Sequence, residues 1–318
     1  MKVSVNKQAL EIVLEIIDRK DELNCTVTQQ RNGATLVDAG IAVSGGAEAG
    51  RLIGEACMGG LGAVRLTSVH IGDLTLPAVI VGTDLPGIAT LGSQYAGWPI
   101  ESEGYFALGS GPARALATVE TKLYSELDYR DDCDFGVICL ETRNPPPETV
   151  TQSIADSCRI SPSNLYCLMS PTASAAGSVQ TSARVVEAGM HKLHMLGLDP
   201  GKVRTGYGTA PIAPVAEDDR RAIGVTNDCI LHGGRAYFFV RCEESEDLGI
   251  LTERCPSSAS PQYGQPFYDL FKSVGFDLYK VDPNLFSPAE FTINDVTNER
   301  TFTAGRLNPD ALKQSFGM

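Results

Sequence analysis

Arg184 and Glu187, which lie three positions apart, are the side chains in this sequence best suited to acid–base chemistry. The surrounding residues predict one helix over about 179–196. Gln180, Arg184 and Glu187 occupy positions i, i+4 and i+7 of that helix and would project from one face. A carboxylate there could exchange protons with a water molecule that a guanidinium helps to orient. Spacing alone favours the simpler interpretation, an exposed ion pair worth roughly a few tenths of a kcal/mol.

Two loops of small residues precede predicted helices and could each bind an anion. Gly109–Arg114 reads Gly-Ser-Gly-Pro-Ala-Arg, with Ser110 placed to cap a helix and Pro112 in its first turn. Ser170–Ser178 is rich in serine, threonine and alanine and leads into the helix of Arg184. Exposed N–H groups at a helix start attract phosphate or carboxylate. An ordinary glycine turn and a flexible linker are the alternatives, and both stay open.

The sequence does not predict a metal centre, a nucleophilic triad or a dinucleotide site. His191 and His194 lie three apart but lack the H-E-x-x-H pattern, which favours solvated or capping histidines. No G-x-S-x-G motif is present, and Arg114 stands where a dinucleotide motif would have its third glycine. Asp228, after Thr226 and Asn227, could line a pocket or simply cap a turn.

The composition predicts a soluble cytoplasmic protein that binds neither nucleic acid nor membrane. The net charge of −13 over 318 residues would repel a phosphate backbone. No apolar run reaches the roughly 18 residues that a membrane-spanning helix needs. Charged residues interrupt the N-terminal apolar pattern, which argues against a signal peptide. Nine scattered cysteines without a C-x-x-C pair are typical of reduced thiols, most of them in the core.

Periodicity and turn residues predict a chain that alternates between helices and strands. The expected elements are a helix over 6–18, a hairpin around Asn32-Gly33, a β-α-β unit over 135–169, a helix over 217–225, a hairpin pairing 229–231 with 235–241, and a helix over 246–254. Residues 82–97, rich in glycine and proline, are expected to form a long irregular connection.

These elements predict an α/β protein of the α+β type, with two packed domains and a ligand cleft between them. Each domain is expected to hold a mixed β-sheet with flanking helices. An acidic composition change places the boundary near residue 130, giving domains over 1–130 and 131–318. An alternative in which the C-terminal segment packs back on the first domain stays open.

Several strings along the whole chain resemble the archaeal methenyltetrahydromethanopterin cyclohydrolases. They are Leu91–Trp98 (LGSQYAGW), Gly109–Ala115 (GSGPARA), Pro171–Ser174 (PTAS), Val179–Glu187, Thr226–Asp228, Tyr263–Tyr268 (YGQPFY) and Asp282–Phe286 (DPNLF). As a set they are specific, because several have no general structural explanation.

The resemblance implies reversible hydrolysis of N5,N10-methenyltetrahydromethanopterin to the N5-formyl compound in archaeal one-carbon metabolism and methanogenesis. It implies a metal-independent hydrolase without a cofactor, whose partner is a tetrahydromethanopterin-type small molecule. It also implies a homo-oligomer, either a trimer or a dimer. The family's catalytic arginine and glutamate match Arg184 and Glu187, so that Glu187 would exchange protons with water while Arg184 orients it and offsets the cost of burying its charge.

The same resemblance implies the remaining site residues. Tyr95 stands where some members have a lysine, and a tyrosine could donate a hydrogen bond there without carrying positive charge. The expected substrate contacts come from the resembling strings: Gln94, Trp98, Ser110, Gly111, Arg114, Thr172, Ser174, Gln180 and Asp228. Two alternatives stay open, a small-molecule kinase that uses Gly109–Arg114 for phosphate and a pterin-binding protein without catalysis.

Overall fold

The structure is a computed structural model that describes residues 3–102, 104–243 and 247–318. The first half of the described chain begins with a helix and a short hairpin. Its elements are α1 (Val5–Asp18), β1 (Thr26–Gln29), β2 (Thr35–Asp38), α2 (Ala47–Cys57), β3 (Ala63–Ile71), β4 (Leu74–Thr83), a π-helical segment (Gly87–Gln94), β5 (Trp98–Ser102), β6 (Tyr105–Ser110), α3 (Ala113–Ala117), α4 (Thr121–Glu126), β7 (Gly136–Glu141) and α5 (Glu148–Cys158).

The second half of the described chain alternates helices with strands and ends on a helix. Its elements are β8 (Leu165–Ser170), α6 (Ala175–Ser182), α7 (Val185–Met195), β9 (Val203–Pro211), α8 (Asp219–Leu231), β10 (Arg235–Val240), α9 (Leu248–Glu253), α10 (Phe267–Ser273), β11 (Glu290–Asp295), β12 (Arg300–Gly305) and α11 (Pro309–Phe316). Short 3-10 turns include Pro162–Asn164 and Pro283–Leu285.

The chain divides into two compact units, and each is made of two chain segments. Unit one is Met1–Ala63 with Ile88–Gln180. Its described strands form a mixed sheet in the order β1-β2-β8-β7-β6-β5, in which β2, β8 and β7 run parallel and the other pairs are antiparallel. Apolar residues that alternate along β8 place Leu168 on the face of α1 and α2, and Cys167 and Met169 on the face of α5.

Unit two is Val64–Gly87 with Thr181–Met318. Its described strands form a second mixed sheet in the order β12-β11-β10-β9-β4-β3. The pair β10–β11 is parallel, whereas β9 pairs antiparallel with both β10 and β4. One face of this sheet supplies core residues such as Phe238 and Phe291, whose rings lie 5.6 Å apart.

The predicted fold class is confirmed, since each unit holds a mixed sheet with flanking helices. The hairpin at Asn32-Gly33 and the parallel β7-α5-β8 unit are confirmed as well. The compositional change near residue 130 lies inside unit one, because β7 and β8 pair with strands from the first 110 residues. The units therefore follow the two sheets.

Three local predictions were wrong. Residues 229–231 lie in α8, which continues to Leu231 because its buried face includes Cys229 and Ile230. The segment over 82–97 is largely regular secondary structure and not an irregular connection, since β4 runs to Thr83 and the π-helical segment spans Gly87–Gln94. The helix predicted over 179–196 is two helices. The helix predicted over 246–254 corresponds to α9, and residue 246 lies outside the described part of the chain.

All nine cysteines are free thiols, and every one except the half-buried Cys133 is buried, as the composition predicted. Burial raises the pKa of Cys25 to about 11 and that of Cys158 and Cys255 to about 12. Most of the thiols are therefore packed as small apolar groups. Separately, no helix in the described ranges is long and apolar enough to cross a bilayer.

Candidate active site

The predicted catalytic pair lies at a break between two helices. α6 ends at Ser182, and Arg184 is the N-cap residue of α7, with φ −83° and ψ 4°. Glu187 lies in the first turn of α7, where the helix dipole favours a carboxylate. Its side chain is buried, with 8% of its surface exposed, whereas Arg184 is half-buried. Gln180 belongs to α6, which ends before Arg184. The prediction that one helix carries Gln180, Arg184 and Glu187 was therefore wrong.

Glycines beneath α7 fix its start against the second sheet. A Cβ on Gly206 would lie 2.7 Å from Val186 Cγ1, and one on Gly208 would lie 3.0 Å from Val185 Cγ1. On the helix itself, a Cβ on Gly189 would lie 2.7 Å from the Phe238 ring. Distances this short leave no room for a side chain, so α7 packs directly on the backbone of β9. The string Gly206-Tyr-Gly208 thus positions the residues that precede Glu187.

The string that carries Gln94 and Tyr95 begins inside a π-helical segment, Gly87–Gln94, and continues beyond its end. Its last hydrogen bond runs from Tyr95 N–H to the Thr90 carbonyl at 2.8 Å. Such segments are rare, and they are frequently found at functional sites. Gln94 is buried at its end, while Tyr95 and Trp98 are half-buried just beyond it.

Arg114 lies wholly buried beside this segment, with no exposed surface. Its guanidinium donates to the carbonyls of Leu91 (3.3 Å) and Ser93 (2.9 Å). Its Nε donates to Glu120 Oε1 at 3.1 Å, and its Nη2 lies 2.8 Å from Oε2. The Tyr95 ring centroid lies 5.1 Å from the guanidinium carbon. Within unit one, Arg114 therefore contacts two backbone carbonyls, the Glu120 carboxylate and the Tyr95 ring.

The loop at Gly109–Arg114 has a different geometry from the one predicted. Pro112, and not Ser110, is the N-cap residue of α3, which is only five residues long. Ser110 ends β6, and its hydroxyl donates to the Cys139 carbonyl at 3.4 Å. Gly111 has φ +98°, which a side chain would strain, and its N–H donates to the Ser93 carbonyl at 2.9 Å. The prediction of Ser110 as a helix cap was wrong, because the glycine turn intervenes.

The loop that begins at Ser170 lies at the carboxyl edge of three parallel strands. The register pairs Glu141, the last residue of β7, with Ser170, and Asp38, the last residue of β2, with Met169. Thr172 donates a short hydrogen bond from its hydroxyl to Glu141 Oε1. Ser174 Oγ accepts the N–H of Gly177 at 2.9 Å and so caps the start of α6. A polar side chain at the end of β7 and one in the loop after β8 therefore meet at this edge.

The helices that follow these two strands pack on opposite faces of the first sheet. Ile154 of α5, after β7, belongs to the core cluster of Cys167 and Met169. Ala176 of α6, after β8, belongs to the cluster of Leu168. Connections that depart to opposite faces leave a crevice outside the carboxyl ends of adjacent strands, where α/β proteins bind ligands. Glu141 and Thr172 lie at this edge of the first sheet.

Asp38 has a structural task at the same edge. Its carboxylate accepts the N–H groups of Gly40 (2.9 Å), Ile41 (2.6 Å) and Ala42 (2.8 Å). A Cβ on Gly40 would lie 2.8 Å from Ser174 Cβ, so the loop after β2 packs directly on the loop after β8. Asp38 thus holds one side of the edge in place.

Asp228, predicted as a substrate contact, is fully buried in α8 and already has protein partners. Its carboxylate accepts the Phe267 N–H at 2.9 Å and the Ser315 hydroxyl at 2.6 Å. His232 Nε2 lies 3.4 Å away. These contacts tie α8 to the start of α10 and to α11. The Asp228 carboxylate thus connects the Thr-Asn-Asp string to Phe267 of the Gln-Pro-Phe string.

Lys192 contacts the Asp282–Phe286 string in a similar way. Its side chain is wholly buried in α7, and Nζ donates to the carbonyl (2.9 Å) and to Oδ1 (3.0 Å) of Asn284. Burial lowers the pKa of Lys192, and the charge of Asp282 opposes that effect. The 3-10 turn at Pro283–Leu285 is therefore anchored to the helix that carries Glu187.

His191 and His194 both lie in α7, three residues apart. Burial, with smaller contributions from His194 and Lys192, lowers the pKa of His191 to about 4. Among the described residues, no three His, Cys, Asp or Glu side chains form a group that could hold a metal ion.

Two mixed sheets with flanking helices, and a buried carboxylate beside an arginine at a helix start, define an α/β protein with a candidate enzyme site. The family model described as Cyclohydrolase (MCH) matches residues 4–316. The chain belongs to this family and is a hydrolase that acts on a cyclic C–N bond.

Three relatives named methenyltetrahydromethanopterin cyclohydrolase match the chain over almost their full length. The protein from Methanococcoides burtonii is 43% identical over 316 residues, covering 99% of both chains. The one from Methanocaldococcus jannaschii is 45% identical over 318 residues, covering 99% of this chain and 98% of its own. The one from Methanothermobacter marburgensis is 46% identical over 321 residues, covering 99% and 100%.

The structure adds three residues to the candidate site that the sequence reasoning missed. Glu120 pairs with Arg114, Gly97 lies against Glu120, and Glu141 receives the Thr172 hydroxyl. Glu141 could have been found, because it ends a strand of the predicted β-α-β unit next to the expected ligand edge. The other two had no signal in a single sequence, since neither their type nor their spacing shows which residues they contact.

Proposed function

We propose that this protein interconverts N5,N10-methenyltetrahydromethanopterin plus water and N5-formyltetrahydromethanopterin. The match to relatives of that name, at 43–46% identity over nearly the whole chain, carries the proposal. The substrate is a cation delocalised over two nitrogens, so its bridging carbon is already electrophilic. A positioned water and a base are then the main requirements.

In the hydrolytic direction, a water oxygen bonds to the bridging carbon while Glu187 takes one of its protons. The C–N10 bond then breaks, its electron pair goes to N10, and N10 takes up a proton. Loss of the remaining hydroxyl proton leaves a formyl group on N5, so one proton is released overall. The burial of Glu187 at the dipole-favoured start of α7 supports this role.

Arg184 is assigned the orientation of the Glu187 carboxylate and of the water. It sits at the N-cap of α7, one helical turn before Glu187, where a guanidinium offsets the cost of a buried anion. Tyr95 is assigned a hydrogen bond to the water or the formyl oxygen. A phenol suits a site whose substrate is itself a cation, because it donates without adding charge.

The decisive experiment follows the absorbance of the methenyl compound as purified protein is added. The Glu187→Gln variant is expected to lower kcat at least about 100-fold while leaving the fold intact, because a general base typically contributes about 10² to 10⁴. Glu253→Gln, a substitution of an exposed glutamate on α9, serves as control. Near-normal turnover by Glu187→Gln would remove the base assignment, and ligand stabilisation without turnover by the wild type would indicate a pterin-binding protein.

We also propose that Glu141 and Thr172 bind the edge of the pterin ring that carries N–H and amino donors. Two oxygens of one carboxylate match two adjacent donors, and the Thr172 hydroxyl fixes the orientation of Glu141. Ser174 and the helix start that it caps lie beside them and suit a negative group of the substrate. The other expected contacts, Gln94, Trp98 and Gln180, complete the proposed substrate set.

The test for Glu141 separates binding from chemistry. Glu141→Gln should raise KM about tenfold or more with kcat little changed, since a charged hydrogen bond contributes about 1.5–3 kcal/mol. Glu148→Gln, at an exposed position a few residues later, is the matched control. An unchanged KM would show that the donor edge binds elsewhere.

The proposed reaction needs no metal or prosthetic group, because the positive charge of the substrate supplies the activation that a Lewis acid would otherwise provide. Dialysis against a chelator should therefore leave kcat unchanged. We further propose a homo-oligomer, for which light scattering distinguishes a trimer from a dimer. The kinase alternative is not favoured, because the guanidinium of Arg114 binds carbonyls within the fold and α3 has only five residues.

A further inference from the structure

We infer that Arg114, Glu120 and Gly97 form an internal clamp that positions Gln94, Tyr95 and Trp98 for catalysis, instead of contacting substrate. This inference rests on the proposed function. All of these residues belong to unit one. The name clamp is used for Arg114, Glu120 and Gly97 together.

The clamp first secures the C-terminal end of the π-helical segment. Carbonyls at a helix end lack partners within the helix. Here Arg114 donates to the carbonyls of Leu91 and Ser93, and the Tyr124 hydroxyl donates to the Gly92 carbonyl at 3.0 Å. Ser93 Oγ donates to the Cys57 carbonyl at 2.7 Å. The three residues before Gln94 are therefore fixed by contacts with three other parts of unit one.

The clamp then closes around the residues beyond the segment. A Cβ on Gly97 would lie 1.8 Å from Glu120 Oε1 and 2.6 Å from Tyr95 Cε1. Glycine at 97 is therefore what allows the carboxylate, the Tyr95 ring and the backbone to occupy one small volume. Since Glu120 is the counter-ion of Arg114, this contact links position 97 directly to the buried charge.

The charge of the clamp also acts on Tyr95. The guanidinium carbon of Arg114 lies 5.1 Å from the Tyr95 ring centroid and 5.8 Å from that of Tyr124. A cation is attracted to the face of an aromatic ring, so Arg114 restrains the Tyr95 ring. The buried arginine thus holds the Tyr95 ring in place from within unit one.

Trp98, the chain's only tryptophan, provides a readout at the clamped string that needs no substrate. The variants are Gly97→Ala, which introduces the collision, and Arg114→Lys, which keeps the charge but loses the planar fork. Gly82→Ala is the matched control, because its Cβ would meet only Tyr207 at 3.5 Å, an ordinary contact. Each variant is measured by Trp98 emission, acrylamide quenching, kcat and KM.

Both clamp variants are expected to change Trp98 emission and quenching and to lower kcat at least about tenfold, with KM within about threefold, because small displacements of positioning groups reduce rate strongly. Gly82→Ala should do neither. A second design, Gly97→Ala with Glu120→Asp, withdraws the carboxylate by one methylene and should recover part of the lost kcat.

The inference is overturned if both clamp variants keep wild-type Trp98 emission, or if the emission changes while kcat does not. A rise in KM alone would also overturn it, since that is the behaviour of a substrate contact. If the wild type shows no turnover, the proposed function fails, and the Trp98 data still decide whether the clamp holds the string.

Discussion

Among the residues that the structure describes, each unit buries one long cation completely, and the two are stabilised in different ways. In unit one, Arg114 faces Glu120 and two backbone carbonyls. In unit two, Lys192 faces the two neutral oxygens of Asn284. Both side chains fix an irregular turn, the π-helical end in one case and the 3-10 turn at Pro283–Leu285 in the other.

The difference lies in the countercharge. The Arg114 guanidinium lies 2.8 Å from a carboxylate oxygen of Glu120. The Lys192 ammonium hydrogen-bonds to uncharged oxygens of Asn284, and burial lowers its pKa. Removing a buried cation should therefore cost most where its partner is an anion. The anion is then left buried without a compensating charge.

The largest effect is expected from Arg114→Met. It leaves Glu120 without its counter-ion and three hydrogen bonds to carbonyls unmade, so the free energy of unfolding should fall by about 3–5 kcal/mol. Urea denaturation measures the loss. Arg130→Met, at an exposed position, is the control and should change stability by less than about 0.5 kcal/mol. A loss no larger than that of the control would break the comparison.

Lys192→Met should have a smaller effect, a loss of about 1–3 kcal/mol. The variant removes a charge that burial already disfavours, and methionine refills most of the volume, but the Asn284 oxygens lose their donor. Urea denaturation again applies, with the exposed Lys272→Met as control. If Lys192→Met costs as much as Arg114→Met, the charge of the hydrogen-bonding partner does not matter.

The smallest effect concerns pH and His191, the neighbour of Lys192. Because the pKa of His191 is about 4 in the folded chain and about 6.5 when unfolded, the unfolded state binds more protons between these values. The free energy of unfolding is therefore fully retained above about pH 6.5 and falls as the pH drops towards 4. His191→Gln should remove this part of the slope.

The same titration sharpens the comparison of the two cations. Lys192→Met should raise the pKa of His191 slightly, as followed by NMR, since the lysine charge is one of the causes that lower it. An unchanged His191 pKa in Lys192→Met would show that the buried lysine carries little charge, in contrast to the guanidinium of Arg114.

Much of the fold followed from local pattern. Alternation and the Asn-Gly turn predicted the first hairpin, and the apolar strand, helix and strand over 135–169 predicted the parallel unit. These features depend on neighbours in sequence. The failures depend on distant contacts: the sequence over 179–196 reads as one helix, yet packing of Val185 and Val186 on Gly208 and Gly206 starts a new one after the turn at Arg184.

Residue type identified the candidates that suit acid–base chemistry. It did not show which residues instead have partners within the protein. Arg184 and Glu187 were singled out by the family resemblance, since their spacing alone favours an exposed ion pair, and their roles remain predictions until variants are measured. Arg114 and Asp228 are equally suited to a ligand by type, but the structure gives them carbonyl, carboxylate, N–H and hydroxyl partners within the protein. A single sequence does not reveal such partners, because Ser93 lies 21 positions from Arg114 and Ser315 lies 87 positions from Asp228.

Because the thiols are buried, their reactivity measures the opening of the part of the chain that contains them. Cys25, Cys158 and Cys167 belong to unit one, while Cys229, Cys242 and Cys255 belong to unit two, and all six are shielded in the folded state. An alkylating reagent should reach Cys133 first and the others only when their own unit opens. Mass spectrometry of the labelled peptides would then time the opening of each unit separately, with no added probe.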